Sequence, residues 1–170
     1  MRIFGLAGWS GSGKTTLVTA LIPEFVARGL TVSTIKHAHH GFDIDQPGKD
    51  SWRHRQAGAS EVMVVSQRRW ALMHELREEP EPSLDALLPR ITPVDLLLIE
   101  GFKRHAHPKI EVYRPSLGKP PLHPDEPFVV AVASDQELPG LALPQLSLGR
   151  PELIAEFILR YDDGGMPWRS

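Results

Sequence analysis

Residues 8–16 read Gly-Trp-Ser-Gly-Ser-Gly-Lys-Thr-Thr, between an apolar run at 3–7 and an apolar-periodic run at 17–26. Over 8–15 they meet the pattern G-x-x-x-x-G-K-[ST] at every specified position, in the strand, turn and helix context that a phosphate-binding loop requires. A polyphosphate must be wrapped by several backbone N–H groups at once, and an inward Cβ would hold the backbone away, so Gly8, Gly11 and Gly13 supply close approach. A helix starting near Lys14 turns its unpaired N–H groups and positive dipole end to the same phosphates. Lys14 can bridge β- and γ-phosphate oxygens, and the Thr15 hydroxyl suits an octahedral Mg²⁺ that keeps several waters. Gly8, Ser10, Gly11, Ser12, Gly13, Lys14, Thr15 and Thr16 are therefore the candidate nucleotide contacts. An ordinary glycine-rich turn is the alternative, but lysine, hydroxyl and flanking pattern all agree on phosphate.

A loop of this kind works with a carboxylate at the end of a second strand, near Mg²⁺. Asp95 begins the apolar run at 94–99, about 16 Å from the phosphate end at ~3.3 Å per residue. Glu100 lies at the right end and takes the acidic role. Asp45 is a second candidate, able to hold a metal-bound water from the loop after strand 2, with Asp43 and Asp50 as substitutes. His37, His39 and His40 invite a transition-metal reading, but on an extended segment His37 and His39 face one way and His40 the other. Lys36 and His37 could instead contact phosphate or a second anion, a role Arg53 and Arg55 could share. For the base, the Asn/Thr-Lys-x-Asp element that reads guanine is absent. The apolar run at 128–133 ends in Ser134-Asp135, which makes Asp135 the best available guanine reader; a turn aspartate is the competing interpretation.

These residues need a scaffold that brings several strand ends to one edge. The pattern predicts an α/β fold: a mostly parallel central sheet flanked by helices, the P-loop NTPase class, with an inserted β-hairpin. Helix 1 is expected over 14–28, with Gly29 past its end and Pro23 as an internal blemish. Strands are expected at 30–35, 94–99, 110–113 and 128–133. Asp50 is expected to cap a helix over 51–57, and 61–65 and 69–74 to form the hairpin. Ser83 should cap a short helix with Leu84, Leu87, Leu88 and Ile91 on one face. Residues 115–127 hold five prolines and form an irregular, stiffened loop. Pro151 opens a last helix whose buried side carries Leu153, Ile154, Phe157, Ile158 and Tyr161. The expectation is one nucleotide-binding domain over 1–161 and a frayed tail over 162–170.

Length and charge narrow the classes. The chain has 170 residues, 19 Lys+Arg against 21 Asp+Glu, and no cysteine. A single domain of this size buries a real core, near-balanced charge argues against a nucleic-acid or membrane-surface footprint, and disulfides, thiolate metal sites and thiol nucleophiles are excluded. No run approaches the ~20 apolar residues of a membrane span, and a cytoplasmic location is expected.

Taken together, residues 8–17, 35–45, 48–55, 69–76, 98–103, 108–112 and 133–135 resemble the molybdopterin-guanine dinucleotide biosynthesis adaptor (MobB) family. The His-rich segment followed by Gly-Lys-Asp-Ser and the strand end Glu-Gly-Phe-Lys make the match specific. The resemblance implies a GTP-binding, weakly hydrolysing homodimer that assists the guanylyltransferase joining GMP to molybdopterin. On it, Gly11, Gly13, Lys14, Thr15 and Thr16 hold GTP and Mg²⁺, Glu100 and Asp45 serve the metal, and the loop at 36–51 reaches toward the pterin or the partner enzyme. A stand-alone small-molecule kinase would need an Arg-rich lid that is not evident. A metallochaperone GTPase normally brings a cysteine motif that is missing. The hairpin at 61–74 is the candidate dimerisation element.

Overall fold

The computed structural model describes residues 1–38 and 41–162. In chain order the elements are β1 (Arg2–Ala7), α1 (Lys14–Val26), β2 (Val32–Lys36), α2 (Asp50–Gln56), β3 (Glu61–Val65), β4 (Trp70–His74), α3 (Leu84–Leu87), β5 (Leu96–Glu100), β6 (Lys109–Tyr113), β7 (Val129–Ser134), β8 (Gln145–Ser147) and α4 (Pro151–Arg160), with 3-10 turns at Leu88–Arg90 and Pro115–Leu117. The chain divides into two compact units, Met1–His37 with Leu88–Ser170, and Ala38–Leu87.

The first unit is built on a six-stranded sheet of order β2-β5-β1-β6-β7-β8 in which every pair is parallel. Strands covered on both faces read as continuous apolar runs, and Leu96, Leu97, Leu98 and Ile99 are all buried. Phe4 and Leu6 of β1 join Leu17, Leu21 and Phe25 of α1 and Ile154, Ala155 and Ile158 of α4 in one core cluster. Each such large side chain contributes about 1.5–3 kcal/mol on burial.

Helix α1 runs through Pro23 and ends earlier than residue 28. Gly29 at φ 79° donates its N–H to Val26 O at 2.9 Å, and Leu30 donates to Phe25 O at 3.2 Å, so a left-handed glycine closes the last turn. The central strand starts at Leu96 because Asp95 is occupied: its Oδ2 accepts from Thr31 N at 2.8 Å and Thr31 Oγ1 at 2.7 Å. The three-residue edge strand β8 carries no period-2 pattern long enough to read from sequence. In α4, Ile154, Ala155 and Ile158 are buried while Leu153 is 43% exposed, so the buried stripe is narrower than expected.

The connection from β5 to β6 has no helix. These strands flank β1 on opposite sides, so residues 101–108 must cross it, whereas parallel crossovers ordinarily take a dozen or more residues. Eight suffice because β6 starts level with the middle of β1, with Lys109 opposite Gly5, and Gly5 N–H donates to Pro108 O at 2.8 Å.

The second unit holds α2, the antiparallel β3–β4 hairpin with Val65 opposite Trp70, and α3. Asp50 is the first residue of α2 rather than its cap; Lys49 takes the cap position without a side-chain bond. In the segment expected as one short helix, only Leu84 is buried in α3, and the chain tightens into a 3-10 turn at Pro89. Arg55 binds Asp43 and Glu75, with closest contacts of 2.7 and 2.8 Å. Among the described residues, no helix is long and apolar enough to cross a membrane.

Candidate nucleotide-binding site

Strand register decides what meets at the phosphate loop. Leu6 and Lys36 both stand opposite Glu100, Ala7 opposite Glu111, and Tyr113 opposite Ser134. The carboxyl ends of β1, β2, β5, β6 and β7 therefore share one edge, where parallel sheets bind ligands.

The loop between β1 and α1 takes its shape from its glycines. Gly8 sits at φ 148°, and a Cβ there would lie 2.5 Å from Val112 O and 2.8 Å from Ser12 Oγ, so only glycine fits. Gly13 caps α1 in the left-handed region at φ 98°. Lys14 Nζ donates to Gly8 O at 3.1 Å and Trp9 O at 2.9 Å, folding back over the loop. Burial lowers the Lys14 pKa; attraction to Glu100 opposes this, and repulsion from Lys103 and Lys36 adds to it. Such a loop with a concentrated positive field attracts an anion.

Thr15 Oγ1 donates to Glu100 Oε1 at 2.8 Å. Lys36 Nζ lies 3.2 Å from Thr15 Oγ1 and 3.4 Å from Glu100 Oε1. The donor set of one hydroxyl and one carboxylate fits a hard divalent ion such as Mg²⁺, which takes few protein ligands and completes its shell with phosphate oxygens and water. Among the described residues, no group of three or more His, Asp or Glu side chains is placed to hold a metal ion. His37 stacks on Phe102, ring centroids 4.6 Å apart; His39 and His40 lie outside the described residues.

The loop leaving Glu100 is tightly shaped. Gly101 has φ 102°, where a Cβ would meet His37 Cβ at 2.7 Å, and Phe102 follows at φ 46°. Positive φ at a bulky residue persists only where its surroundings enforce it, and the stack on His37 is such an enforcement. Farther on, the buried Lys109 Nζ donates to Lys103 O at 2.9 Å and His105 O at 2.6 Å, while Lys103 Nζ stands 4.4 Å over the Trp9 ring.

Arg114, Glu111 and Lys109 were not singled out from the sequence. Arg114 Nε donates to Ser12 O at 3.0 Å and its other end pairs with Asp135, so one guanidinium joins the phosphate loop to the end of β7. Asp135 lines an open groove of about 640 Å³ formed by residues 134–139 and 145–147. Glu111, fully buried, accepts from Leu122 N at 2.7 Å and His123 N at 3.0 Å, and Trp9 Nε1 donates to Pro120 O at 2.7 Å. The proline-rich loop is thereby fixed against both β6 and the phosphate loop. An acid in the middle of the apolar run Lys-Ile-Glu-Val-Tyr was the available signal for Glu111.

Asp45 lies in the second unit. Its Oδ1 accepts from Ser51 Oγ and Gln46 N, both at 2.9 Å, and its Oδ2 stands 3.5 Å from Arg55 Nε without making a hydrogen bond. Arg55, expected as a possible anion contact, is committed to acidic partners within its own unit, and its pKa is raised by the hydrogen bond to Asp43 first and Glu75 second.

The family profile described as molybdopterin guanine dinucleotide synthesis protein B matches residues 3–135. A molybdopterin-guanine dinucleotide biosynthesis adapter protein of Haemophilus influenzae is 45% identical over 159 residues, covering 92% of this chain and 86% of its own length. The Escherichia coli protein of the same name is 43% identical over 162 residues, 94% and 92% of the two chains. Among solved structures, a molybdopterin-guanine biosynthesis protein B superposes with TM-score 0.71 at 30% identity, covering 92% of this chain and 97% of that one. Bacillus subtilis MobB superposes with TM-score 0.72 at 25% identity, covering 94% and 96%. The chain belongs to the MobB family of molybdopterin-guanine dinucleotide biosynthesis proteins.

Proposed function

We propose that this protein binds GTP with Mg²⁺ and serves as an adaptor to the guanylyltransferase that attaches GMP to molybdopterin in molybdenum cofactor biosynthesis. The convergence of Lys14, Thr15 and Glu100 at the head of α1 carries the nucleotide part. The names of relatives at 43–45% identity carry the pathway.

In this reading the backbone of residues 8–16 wraps the phosphates. Lys14 exchanges two loop carbonyls for β- and γ-phosphate oxygens, and Thr15 and Glu100 hold Mg²⁺, which neutralises phosphate charge. Asp135 reads guanine from the groove beyond β7. Hydrolysis is weak, and turnover is completed with the partner enzyme in the cytoplasm. The protein acts as a homodimer through the β3–β4 hairpin, where Met63, Val65 and Trp70 are 58%, 68% and 66% exposed, apolar side chains that a second copy would cover. A monomer at micromolar concentration would count against that contact.

Titration with fluorescent mant-nucleotides in Mg²⁺ tests the site: GTP binds more tightly than ATP, and Lys14→Ala abolishes binding with the circular dichroism unchanged. Retained affinity in Lys14→Ala would discredit the phosphate site. Co-purification with the guanylyltransferase, or stimulation of its GMP transfer, tests the adaptor role. Rapid phosphorylation of a metabolite by the isolated chain would replace it with a kinase.

A further inference from the structure

We propose that Lys36 is a resident cation of the Mg²⁺ position: its ammonium holds the Thr15 hydroxyl and the Glu100 carboxylate until the metal takes them, so that metal loading and release of Lys36 are one exchange. The proposal rests on the nucleotide-site reading above and deepens it.

The contact is built into the sheet. Lys36 closes β2 directly opposite Glu100 at the end of β5, and the two side chains meet at 3.4 Å. The same ammonium donates to Thr15 Oγ1 at 3.2 Å, while Thr15 itself donates to Glu100 Oε1. The neighbouring lysines are directed elsewhere. Lys14 is bonded to the carbonyls of Gly8 and Trp9, and Lys103 lies over the Trp9 ring. Lys36 is thus the ammonium seated on the two oxygens that the divalent ion needs.

An ammonium and Mg²⁺ cannot share those oxygens. Both draw on the lone pairs of Glu100 Oε1 and Thr15 Oγ1, ammonium has no acceptor to offer the ion, and two like charges a few ångströms apart repel strongly where solvent is reduced. Glu100 is 12% exposed, so the repulsion is only partly screened, whereas Lys36 is 57% exposed on a flexible stem and can leave easily. A bound phosphate then tips the exchange, because its negative charge favours the divalent ion over the single charge it replaces. The consequence is an order of events, with nucleotide entering before the metal is held firmly.

The test is a Mg²⁺ titration of mant-GMPPNP binding, read by fluorescence, which requires no hydrolysis. Removing the competing cation in Lys36→Met or Lys36→Gln should lower the Mg²⁺ midpoint about two- to fivefold, the worth of a partly exposed ion pair. Lys36→Arg, which keeps a cation, should retain the wild-type midpoint. An unchanged or raised midpoint in both neutral variants overturns the exchange. If the wild type binds the nucleotide equally with and without Mg²⁺, the exchange falls while the nucleotide site stands. If it binds no nucleotide at all, both fall together.

Discussion

Glu100 Oε1 accepts the hydroxyl of Thr15 at 2.8 Å, bringing together two residues 85 positions apart; in the proposed function they are the acidic and hydroxyl ligands of Mg²⁺. Glu100→Gln keeps an oxygen that can accept from Thr15 but removes the charge, so the fold should be unaffected while metal binding weakens. An interaction with a charged group is worth about 1.5–3 kcal/mol, so Mg²⁺ affinity should fall about 10- to 100-fold. Isothermal titration with Mg²⁺ at saturating nucleotide checks this; an affinity within twofold of wild type would remove Glu100 from the metal.

Arg114 holds Asp135 with one end and Ser12 O with the other; if Asp135 reads the base as proposed, removing Asp135 leaves the Arg114–Ser12 bond in place, whereas removing Arg114 breaks both contacts. Asp135→Ala should cut the GTP-over-ATP preference about 10- to 100-fold, the discrimination of one bidentate pair to a base edge, with little effect on phosphate affinity. Arg114→Ala should weaken both nucleotides. The two residues are about a third exposed, 35% and 31%, so neither change should cost much more than about 1 kcal/mol of stability. A GTP preference that survives Asp135→Ala would move base reading to another residue of the groove.

Gly5 is where the short crossover depends on an absent side chain. A Cβ there would lie 2.4 Å from His107 Nε2, 2.8 Å from its Cδ2 and 3.0 Å from Lys109 Cβ, and both neighbours are fully buried. Neither can move aside, so Gly5→Ala should destabilise by about 1–3 kcal/mol as overpacking does. For a chain of this size that lowers Tm by about 2–4 °C per kcal/mol. Calorimetry would show it, and an unchanged Tm would mean that residues 101–108 can be redrawn freely.

What the sequence disclosed follows from the range of the interactions. The phosphate loop is local, with spacing and flanking periodicity in one stretch, and Glu100 could be chosen over Asp95 by counting along a single strand. The structure adds that Asp95 is satisfied by Thr31 at the far end. Arg114 and Lys36 meet their partners only through the strand order β2-β5-β1-β6-β7. That order sets Lys36 beside Glu100 and brings Arg114 to Ser12; the strand end marked Lys36 as a possible anion contact, but not Glu100 as its partner. The sequence places no helix between the strands at 94–99 and 110–113, but that they flank β1 depends on strand order, and the short crossover on where β6 starts relative to Gly5.

The buried pair His107 and Lys109 should give the protein an asymmetric pH profile. His107 is fully buried with Nε2 making no hydrogen bond, and its pKa falls to about 3, first through burial and then through repulsion from Lys109 and His105. The unfolded chain protonates this ring near pH 6.5 while the folded one does not. The unfolded state therefore binds the extra proton between about pH 6.5 and 3, and stability, full above that window, declines as pH falls through it. The slope is about 1.4 kcal/mol per pH unit for one proton. Lys109 is lowered to about 8 by burial, opposed by Glu126. Below pH 8 both states carry its charge; between about pH 8 and 10.4 the unfolded state alone keeps it, so stability rises with pH there. Urea unfolding from pH 4 to 7 should show the acid loss in the wild type and a limb shallower by one proton in His107→Asn. Parallel limbs in the two proteins would mean that this imidazole is protonated in the folded state.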